Sequence, residues 1–581
     1  MRLVSELRRR NVLRMAMLYA VAAWLIMQVA EVLIDLAKLP DWVGTASLWL
    51  LGIGFPIALI FSWFYEITLE GISLEKDVDA KASITHVTSR RLDFIVISLL
   101  CAAVIMFAYD KWWRDTPPEK SIAVLPFVNM SDDAENEYFS DGISEELLNL
   151  LAKIPEIEVT SRSSAFSFKG QNIPIPRIAE ELNVAHVLEG SVRKSGNRVR
   201  ITAQLIEARS DTQLWSETYD RTLDDIFAIQ DDIAAMVVDQ LKISLLGELP
   251  KPQETDPEAY AFYLQANHLN ETSTAESLRE AVALFERVLA IDPEYVPALL
   301  GLGRSFDRMG TIRVLSQDEA RQKSRQAIER ALEINPQSAG AMKGLAWRLY
   351  RYDGNLPEAA RYFEKALRQD PTNTAFIGDI SIFLSSLGRL DEAIRFGEYQ
   401  VSRDPANAVA HNNLGGRFRF AGNLNEAKKA FFTARRLSPN IAGVNYEIGL
   451  ILLLEGEYAL AKTTFEYETL SAFRQIGLVM SYFSLGEHSE SRELLNSLIS
   501  NHGERIPYYV GLIMAYQGEV DHAYEWLDKA RATEDSALSN APNEPFLVKL
   551  HSDPRWLPFL ESIGRTPEQL DAIHFSVSLP D

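Results

Sequence analysis

The side chains that most often perform catalysis are scattered along this sequence rather than grouped. Its nine histidines fall in neither an HExxH nor an HxH pattern, so no pair is spaced to bind one metal ion. The single cysteine, Cys101, can form neither an intrachain disulfide nor a multi-cysteine metal site. No Walker loop and no GxSxG turn is present. We therefore expect no catalytic residue, no metal site and no cofactor, and we interpret the chain as non-enzymatic.

One acidic cluster could in principle bind calcium. It comprises Asp132, Asp133, Glu135, Glu137 and Asp141. An EF-hand loop needs ligands at alternate positions, a central glycine and a closing glutamate, and this spacing does not supply them. We favour a solvated loop in which Asp141 caps the N-terminus of the next helix.

Small residues recur at a constant interval of 34 residues in the C-terminal half of the chain. The recurring positions are Gly354, Gly388, Gly422 and Gly456, then Ala359, Ala393, Ala427 and Ala461, and finally Pro371, Pro405 and Pro439. This period is that of the tetratricopeptide repeat, a pair of antiparallel helices. Glycine ends the first helix, alanine lets the two helices approach closely, and proline stops the second helix.

The periodicity predicts an all-α array of about eight repeats over residues 256–540, followed by a cap and tail over 541–581. The interval from Pro293 to Pro336 is 43 residues, so the second repeat carries about nine extra residues. We expect these extra residues around Ile312–Gln317.

The array resembles tetratricopeptide-repeat proteins, and this resemblance implies a concave groove lined by the first helix of each repeat. The phase of the repeat places five candidate protein-binding residues there: Arg348, Arg351, Asn412, Arg419 and Tyr446. Three inward arginines on an acidic array would favour an acidic peptide or a C-terminal carboxylate. The alternative is that they pair with neighbouring Asp and Glu and only solubilise the face.

Residues 119–247 show the pattern of a small α/β domain. A buried strand is predicted at Ser121–Phe127 and a helix at Ile143–Ile154. Alternating apolar residues then predict a hairpin of His186–Arg193 with Arg198–Ala208.

Two stretches of this domain carry a further resemblance. They read SIAVLPFVNMSDDAENEYFSDGISEEL and LEGSVRKSGNRVRITAQLIEARSDTQLWSETYDR. Both are similar to the TolB-amino-terminal-like domain, which occurs beside repeats in some membrane-bound class III adenylate cyclases. The resemblance implies an interaction module of the bacterial envelope and a non-cyclase relative of those enzymes.

Three apolar runs predict a transmembrane region over residues 1–114. The expected spans are 12–30, 44–65 and 93–109, each close to the length that crosses a bilayer. Nine basic residues flank one side of these spans and three the other. This bias predicts a cytoplasmic N-terminus and periplasmic soluble domains in a bacterial inner membrane.

The rest of the chain is acidic. Residues 115–581 contain 69 acidic and 46 basic side chains, so we expect no nucleic-acid partner.

The sequence as a whole predicts a multidomain protein: a transmembrane region, a TolB-like α/β domain and a repeat solenoid. We interpret it as a membrane-anchored scaffold for protein or peptide partners in the envelope. The alternative is a periplasmic sensor that acts through a separate cytoplasmic effector.

Overall fold

The structure is a computed structural model that describes residues 117–131, 133–243 and 250–580, with a few residues between 16 and 74. The chain divides into two units, Met1–Thr116 and Pro117–Asp581. In the first unit, strands β1 (Tyr65–Thr68) and β2 (Gly71–Leu74) form an antiparallel pair.

Among the described residues, no helix has both the length and the apolar character that crossing a membrane requires. This finding contradicts the predicted three-helix transmembrane region over 1–114. It also contradicts the predicted multi-pass inner-membrane location with periplasmic domains. The predicted spans 12–30, 44–65 and 93–109 lie for the most part outside the described residues, and Tyr65, which ends the second of them, instead begins β1.

The α/β domain contains six strands and four α-helices within residues 117–243. In chain order they are β3 (Ser121–Val124), β4 (Val128–Asn129), α1 (Glu137–Ala152), β5 (Glu158–Val159), α2 (Arg162–Phe166), α3 (Ile175–Leu182), β6 (His186–Ser195), β7 (Arg198–Glu207), β8 (Thr212–Thr222) and α4 (Ile226–Gln240). The strand order is β5-β3-β6-β7-β8, with β4 paired to β6. Strand β3 is parallel to both neighbours, whereas β6, β7 and β8 are antiparallel. The predicted small α/β domain is confirmed.

Alternation along β3 explains why helices cover both faces of the sheet. Ile122 and Val124 point into the core that α1 and α4 complete. Ala123 and Leu125 point into a second core that α3 completes. Because successive side chains of a strand point to opposite faces, one four-residue apolar run supplies both cores.

The repeat array consists of eight helix pairs within residues 250–580. The first helices are α5 (Pro257–Thr272), α7 (Val296–Thr311), α9 (Ala339–Arg351), α11 (Thr374–Ser386), α13 (Ala408–Phe420), α15 (Val444–Leu454), α17 (Ser471–Ser484) and α19 (Pro507–Gln517). The second helices are α6 (Ala275–Ile291), α8 (Gln317–Ile334), α10 (Leu356–Gln369), α12 (Leu390–Arg403), α14 (Leu424–Leu437), α16 (Tyr458–Glu466), α18 (His488–His502) and α20 (Val520–Ala532). The predicted all-α solenoid is confirmed.

The periodic residues have the physical roles that the spacing indicates. The four recurrent glycines follow first helices and have positive φ angles between 62° and 82°. Ala359, Ala393, Ala427 and Ala461 are fully buried. The extra residues of the second repeat lengthen the two helices that meet at the turn near Ile312–Gln317: α7 has 16 residues and α8 has 18, against 13 and 14 in the next repeat.

A continuous core joins the α/β domain to the first repeat. Phe139 and Ile143 of α1 share one apolar cluster with Tyr260 and Leu264 of α5.

Asp141, predicted to cap a helix, instead lies inside α1, because a 3-10 turn at Ala134–Asn136 makes the helix begin earlier. Its buried carboxylate forms an ion pair with Lys169 at 2.5 Å.

The segment after the last repeat consists of four short helices. Two 3-10 helices at Ser536–Asn543 and Pro545–Leu550 are followed by α21 (Trp556–Ser562) and α22 (Pro567–Asp571). The segment turns back toward the middle of the array. The side chain of Asn543 donates to the Ser385 carbonyl at 2.8 Å, across 158 positions of sequence.

Candidate functional site: a pocket inside the repeat array

The first helices of the array enclose a pocket of about 240 Å³. Its lining residues come from α9, α11, α13, α15 and α19, and from the stretch that ends at Glu544. One pocket therefore collects side chains from repeats as far apart in sequence as Arg351 and Tyr509. The curvature of the array produces this convergence, because each first helix presents the same face to the interior.

Four of the five predicted binding residues line this pocket: Arg351, Asn412, Arg419 and Tyr446. Arg348 does not line it. The guanidinium of Arg348 instead contacts Asp307 at 3.2 Å and the Arg321 carbonyl. That any of the five contacts a partner stays a prediction.

The charge of Arg419 is neutralised within the chain. Its Nε lies 2.8 Å from a carboxylate oxygen of Glu447, and its Nη1 lies 3.0 Å from Oε1 of Glu544. Burial disfavours the charged guanidinium, but the two carboxylates outweigh it and raise the pKa of Arg419 above its ordinary value. Arg419 therefore holds the array together and has little charge left to offer a partner.

Arg417, two residues earlier on α13, is a buried cation of a different kind. It is 8% exposed, and among the described residues it forms no ion pair and no side-chain hydrogen bond. Burial lowers the pKa of Arg417 to about 10, so the side chain remains protonated at neutral pH. The pocket therefore presents a guanidinium that has no counter-ion in the described chain.

Two further polar atoms of the pocket lack hydrogen-bond partners among the described residues. They are the Asn412 Oδ1 and the Tyr508 hydroxyl. Buried polar groups are almost always hydrogen-bonded in native proteins. Three such groups in one pocket indicate a place where a ligand, or water in its absence, completes the bonding.

The charges that line the pocket favour an anion. Arg351, Arg417 and Arg419 provide three positive charges, and Glu447 and Glu544 provide two negative ones. Both carboxylates lie against Arg419. The local excess of positive charge therefore resides on the other two arginines, although residues 115–581 as a whole are strongly acidic.

The sequence did not lead us to predict Arg417 in the pocket, because we expected only one residue of each helical turn to face the interior of the array. The pocket is wide enough to receive two adjacent rows of α13. One row contains Asn412 and Gly416, and the other contains Asn413 and Arg417, each pair four residues apart. The Asn413–Arg417 spacing was the available signal.

No group of three or more His, Cys, Asp or Glu side chains within the described ranges could hold a metal ion.

Comparisons with protein families give three matches within the second unit. Residues 118–236 match the family described as the HilA/YgeH-like transcriptional regulator, second domain. The TolB-like identity predicted for this domain is thus not the one that the comparison returns. Residues 316–374 and 350–412 match tetratricopeptide-repeat families, which confirms the repeats.

Individual relatives share only parts of the chain. Putative adenylate cyclase 3 of Rhizobium meliloti (strain 1021) is 42% identical over 181 residues, 30% of this chain and 31% of that protein. Probable UDP-N-acetylglucosamine–peptide N-acetylglucosaminyltransferase SPINDLY of Solanum lycopersicum is 30% identical over 106 residues, 18% and 10% of the two chains. The chain thus spans less than a third of the length of either relative.

Among solved structures, PilF of Pseudomonas aeruginosa is 21% identical. The likeness covers 36% of this chain and 92% of PilF, with a TM-score of 0.29, and at that score it supports no inference. The repeats rest on the family matches and on the eight helix pairs. The chain therefore contains tetratricopeptide repeats together with an α/β domain.

Proposed function

We propose that the chain is a non-enzymatic scaffold whose interior pocket binds an acidic segment of a protein partner. Tetratricopeptide repeats bind peptides and proteins through this face, and the pocket contains the groups that such a segment needs. The observation that carries the proposal is the buried, protonated Arg417, which has no carboxylate at ion-pair distance among the described residues. A carboxylate of the partner would form a paired hydrogen bond with its guanidinium.

The size and charge of the pocket support a carboxylate. A volume of about 240 Å³ suits one or two side chains of an extended peptide rather than a whole helix. The Tyr508 hydroxyl can donate a further hydrogen bond to the same anion. An Asp or Glu side chain and a free C-terminus both supply this chemistry.

The acidic surface of the protein opposes a nucleic-acid ligand. Residues 115–581 carry 23 more acidic than basic side chains, and this excess repels a phosphate backbone. A short peptide whose carboxylate enters the pocket avoids most of that repulsion.

The proposal is tested with an array of synthetic peptides in which each acidic peptide has a partner carrying Gln or Asn instead. The full-length protein should prefer the acidic member of a pair, and Arg417→Met should remove that preference. Arg436→Met, on the exposed surface of α14, removes the same charge outside the pocket and serves as the matched control. Identical binding profiles for all three proteins would overturn the proposal.

A second candidate function is a signalling component that acts through a separate effector. The observation in its favour is the 42% identity over 181 residues to Putative adenylate cyclase 3. Incubation of the purified chain with ATP distinguishes the possibilities. Formation of cyclic AMP would overturn the non-enzymatic proposal, whereas binding of a purified cyclase domain without intrinsic activity would support a signalling role.

A further inference from the structure

The C-terminal tail lies on the array in the manner of a bound peptide. Residues 572–580 have no helix or strand of their own, and the exposure of their side chains alternates from Ala572 to Leu579. Ile573, Phe575, Val577 and Leu579 face the array, whereas the three residues between them are exposed. This period of two is that of an extended chain with one face docked.

One aromatic side chain anchors the tail. Phe575 is 4% exposed, and its ring packs edge-on against Phe383 of α11, with 5.1 Å between ring centroids. Phe383 in turn packs on Phe363 of α10. The tail therefore enters a pocket formed by two consecutive repeats.

The peptide group that follows the anchor, between Phe575 and Ser576, is hydrogen-bonded at both its carbonyl and its amide. Arg389, in the turn between α11 and α12, donates to the Phe575 carbonyl at 2.5 Å. The Ser576 amide donates to the Glu364 carboxylate of α10 at 2.7 Å. Both bonds are made by main-chain atoms of the tail. They would therefore form with any residue at the same position, whatever its side chain.

The tail differs in this respect from the segment that precedes it. Phe546, Leu547 and Leu550 are nearly fully buried in the core of the last repeats. They cover the apolar end of the array, which has no further repeat to pack against it among the described residues. The tail contributes one fully docked side chain and three half-buried ones. The tail is therefore attached as a ligand is attached in a groove. The segment around Phe546 to Leu550 instead forms a structural cap.

We propose that the groove between α10, α11 and Arg389 is a peptide-docking surface that the chain fills with its own exchangeable tail. The partner that fits it is an extended segment with an aromatic residue at the centre and aliphatic residues two positions to either side. The tail of a second copy satisfies this description. The groove is separate from the interior pocket, so the inference does not depend on the proposed binding of acidic segments.

The test uses the full chain with Phe575→Ser, which weakens the tail in cis, and a fluorescent peptide with the sequence of residues 566–580. We expect this variant to bind the peptide at least tenfold more tightly than it binds the same peptide with Ser in place of Phe. The unmodified chain should bind the peptide at least tenfold more weakly than the variant does, because its own tail competes. His574→Ser, an exposed neighbour, should behave as the unmodified chain does.

Equal binding of the two peptides by a folded Phe575→Ser chain would overturn the proposal. Hydrogen exchange on the unmodified chain gives an independent measurement if that variant does not fold. The Ser576 amide, which donates to Glu364, should then exchange at least a hundredfold faster than the amides of α11, since an exchangeable tail opens without unfolding the repeats. Equal protection of both segments would show that the tail is a fixed part of the core and would also overturn the proposal.

Discussion

Arg419 and Glu544 form a buried ion pair across 125 positions of sequence, with 3.0 Å between Nη1 and Oε1. The pair links the fifth repeat to the segment beyond the eighth. Arg419→Met would leave Glu544 and Glu447 without their cation. We expect the free energy of unfolding to fall by about 3–5 kcal/mol, the usual effect of removing one partner of a buried pair. Urea denaturation measures the change.

Lys429→Met is the control for this loss, because Lys429 pairs with Glu426 at the surface of α14. Exposed pairs contribute less than about 1 kcal/mol. A similar small effect for Arg419→Met would show that the interior pair does not hold the two segments together.

The loss of Arg417 should have the opposite effect on stability. This guanidinium is buried and has no counter-ion in the part of the chain that the structure describes, and an apolar side chain of similar length removes the cost of burying it. We expect Arg417→Met to raise the free energy of unfolding by about 1–2 kcal/mol in the absence of a ligand. A gain in stability together with a loss of acidic-peptide binding is typical of a residue retained for function. A destabilised Arg417→Met would instead indicate a structural role.

Gly415 and Gly416 are adjacent on α13 but should respond oppositely to alanine. A Cβ at Gly415 would lie 2.7 Å from the buried ring of Phe431, whereas a Cβ at Gly416 meets nothing within 4 Å. We expect Gly415→Ala to destabilise the protein by about 1–3 kcal/mol through overpacking. Gly416→Ala should stabilise it by about 0.5–1 kcal/mol, because alanine favours the helix. Thermal denaturation of both variants checks the difference in sign, and shifts of the same sign would contradict this packing.

Glu146 should make the junction between α1 and α5 sensitive to pH. Burial, together with the neighbouring Glu145, raises the pKa of Glu146 to about 7, and the Tyr263 hydroxyl lies 3.4 Å from its carboxylate. Between pH 4.5 and pH 7 the unfolded chain releases this proton while the folded chain keeps it. Stability should therefore fall as pH rises through this window, by about 1–3 kcal/mol.

Glu146→Gln should remove most of this fall, as judged by urea denaturation at pH 5 and pH 8. Glu135→Gln, at an exposed carboxylate of the same domain, is the matched control. An unchanged pH dependence in Glu146→Gln would show that the carboxyl group is ionised in both states.

Local patterns in the sequence predict most of the second unit. The 34-residue interval identifies the repeats and the interior face of the array, and four of the five residues assigned to that face line one pocket. Apolar alternation likewise identifies the paired strands β6 and β7. These features follow from periods of a few residues, which a sequence displays directly.

Features that depend on distant contacts could not be predicted in this way. Nothing near Glu544 indicates that it meets Arg419, and nothing near Phe575 indicates Phe383 as its neighbour. Periodicity also cannot show which arginine of an interior face finds a carboxylate. Arg419 finds two, whereas Arg417 finds none among the described residues.

The return of the C-terminal segment to α11 changes how the array would respond to tension. An array in which each repeat contacts only its neighbours lengthens under small forces, because every interface between repeats deforms slightly. Here Asn543 and Arg565 bind the carbonyls of Ser385 and Ser386, while Phe546 is fixed in the last repeats. The segment thus links α11 directly to the last repeats. We expect the array between α11 and α19 to resist small extending forces and to lengthen only after these contacts break.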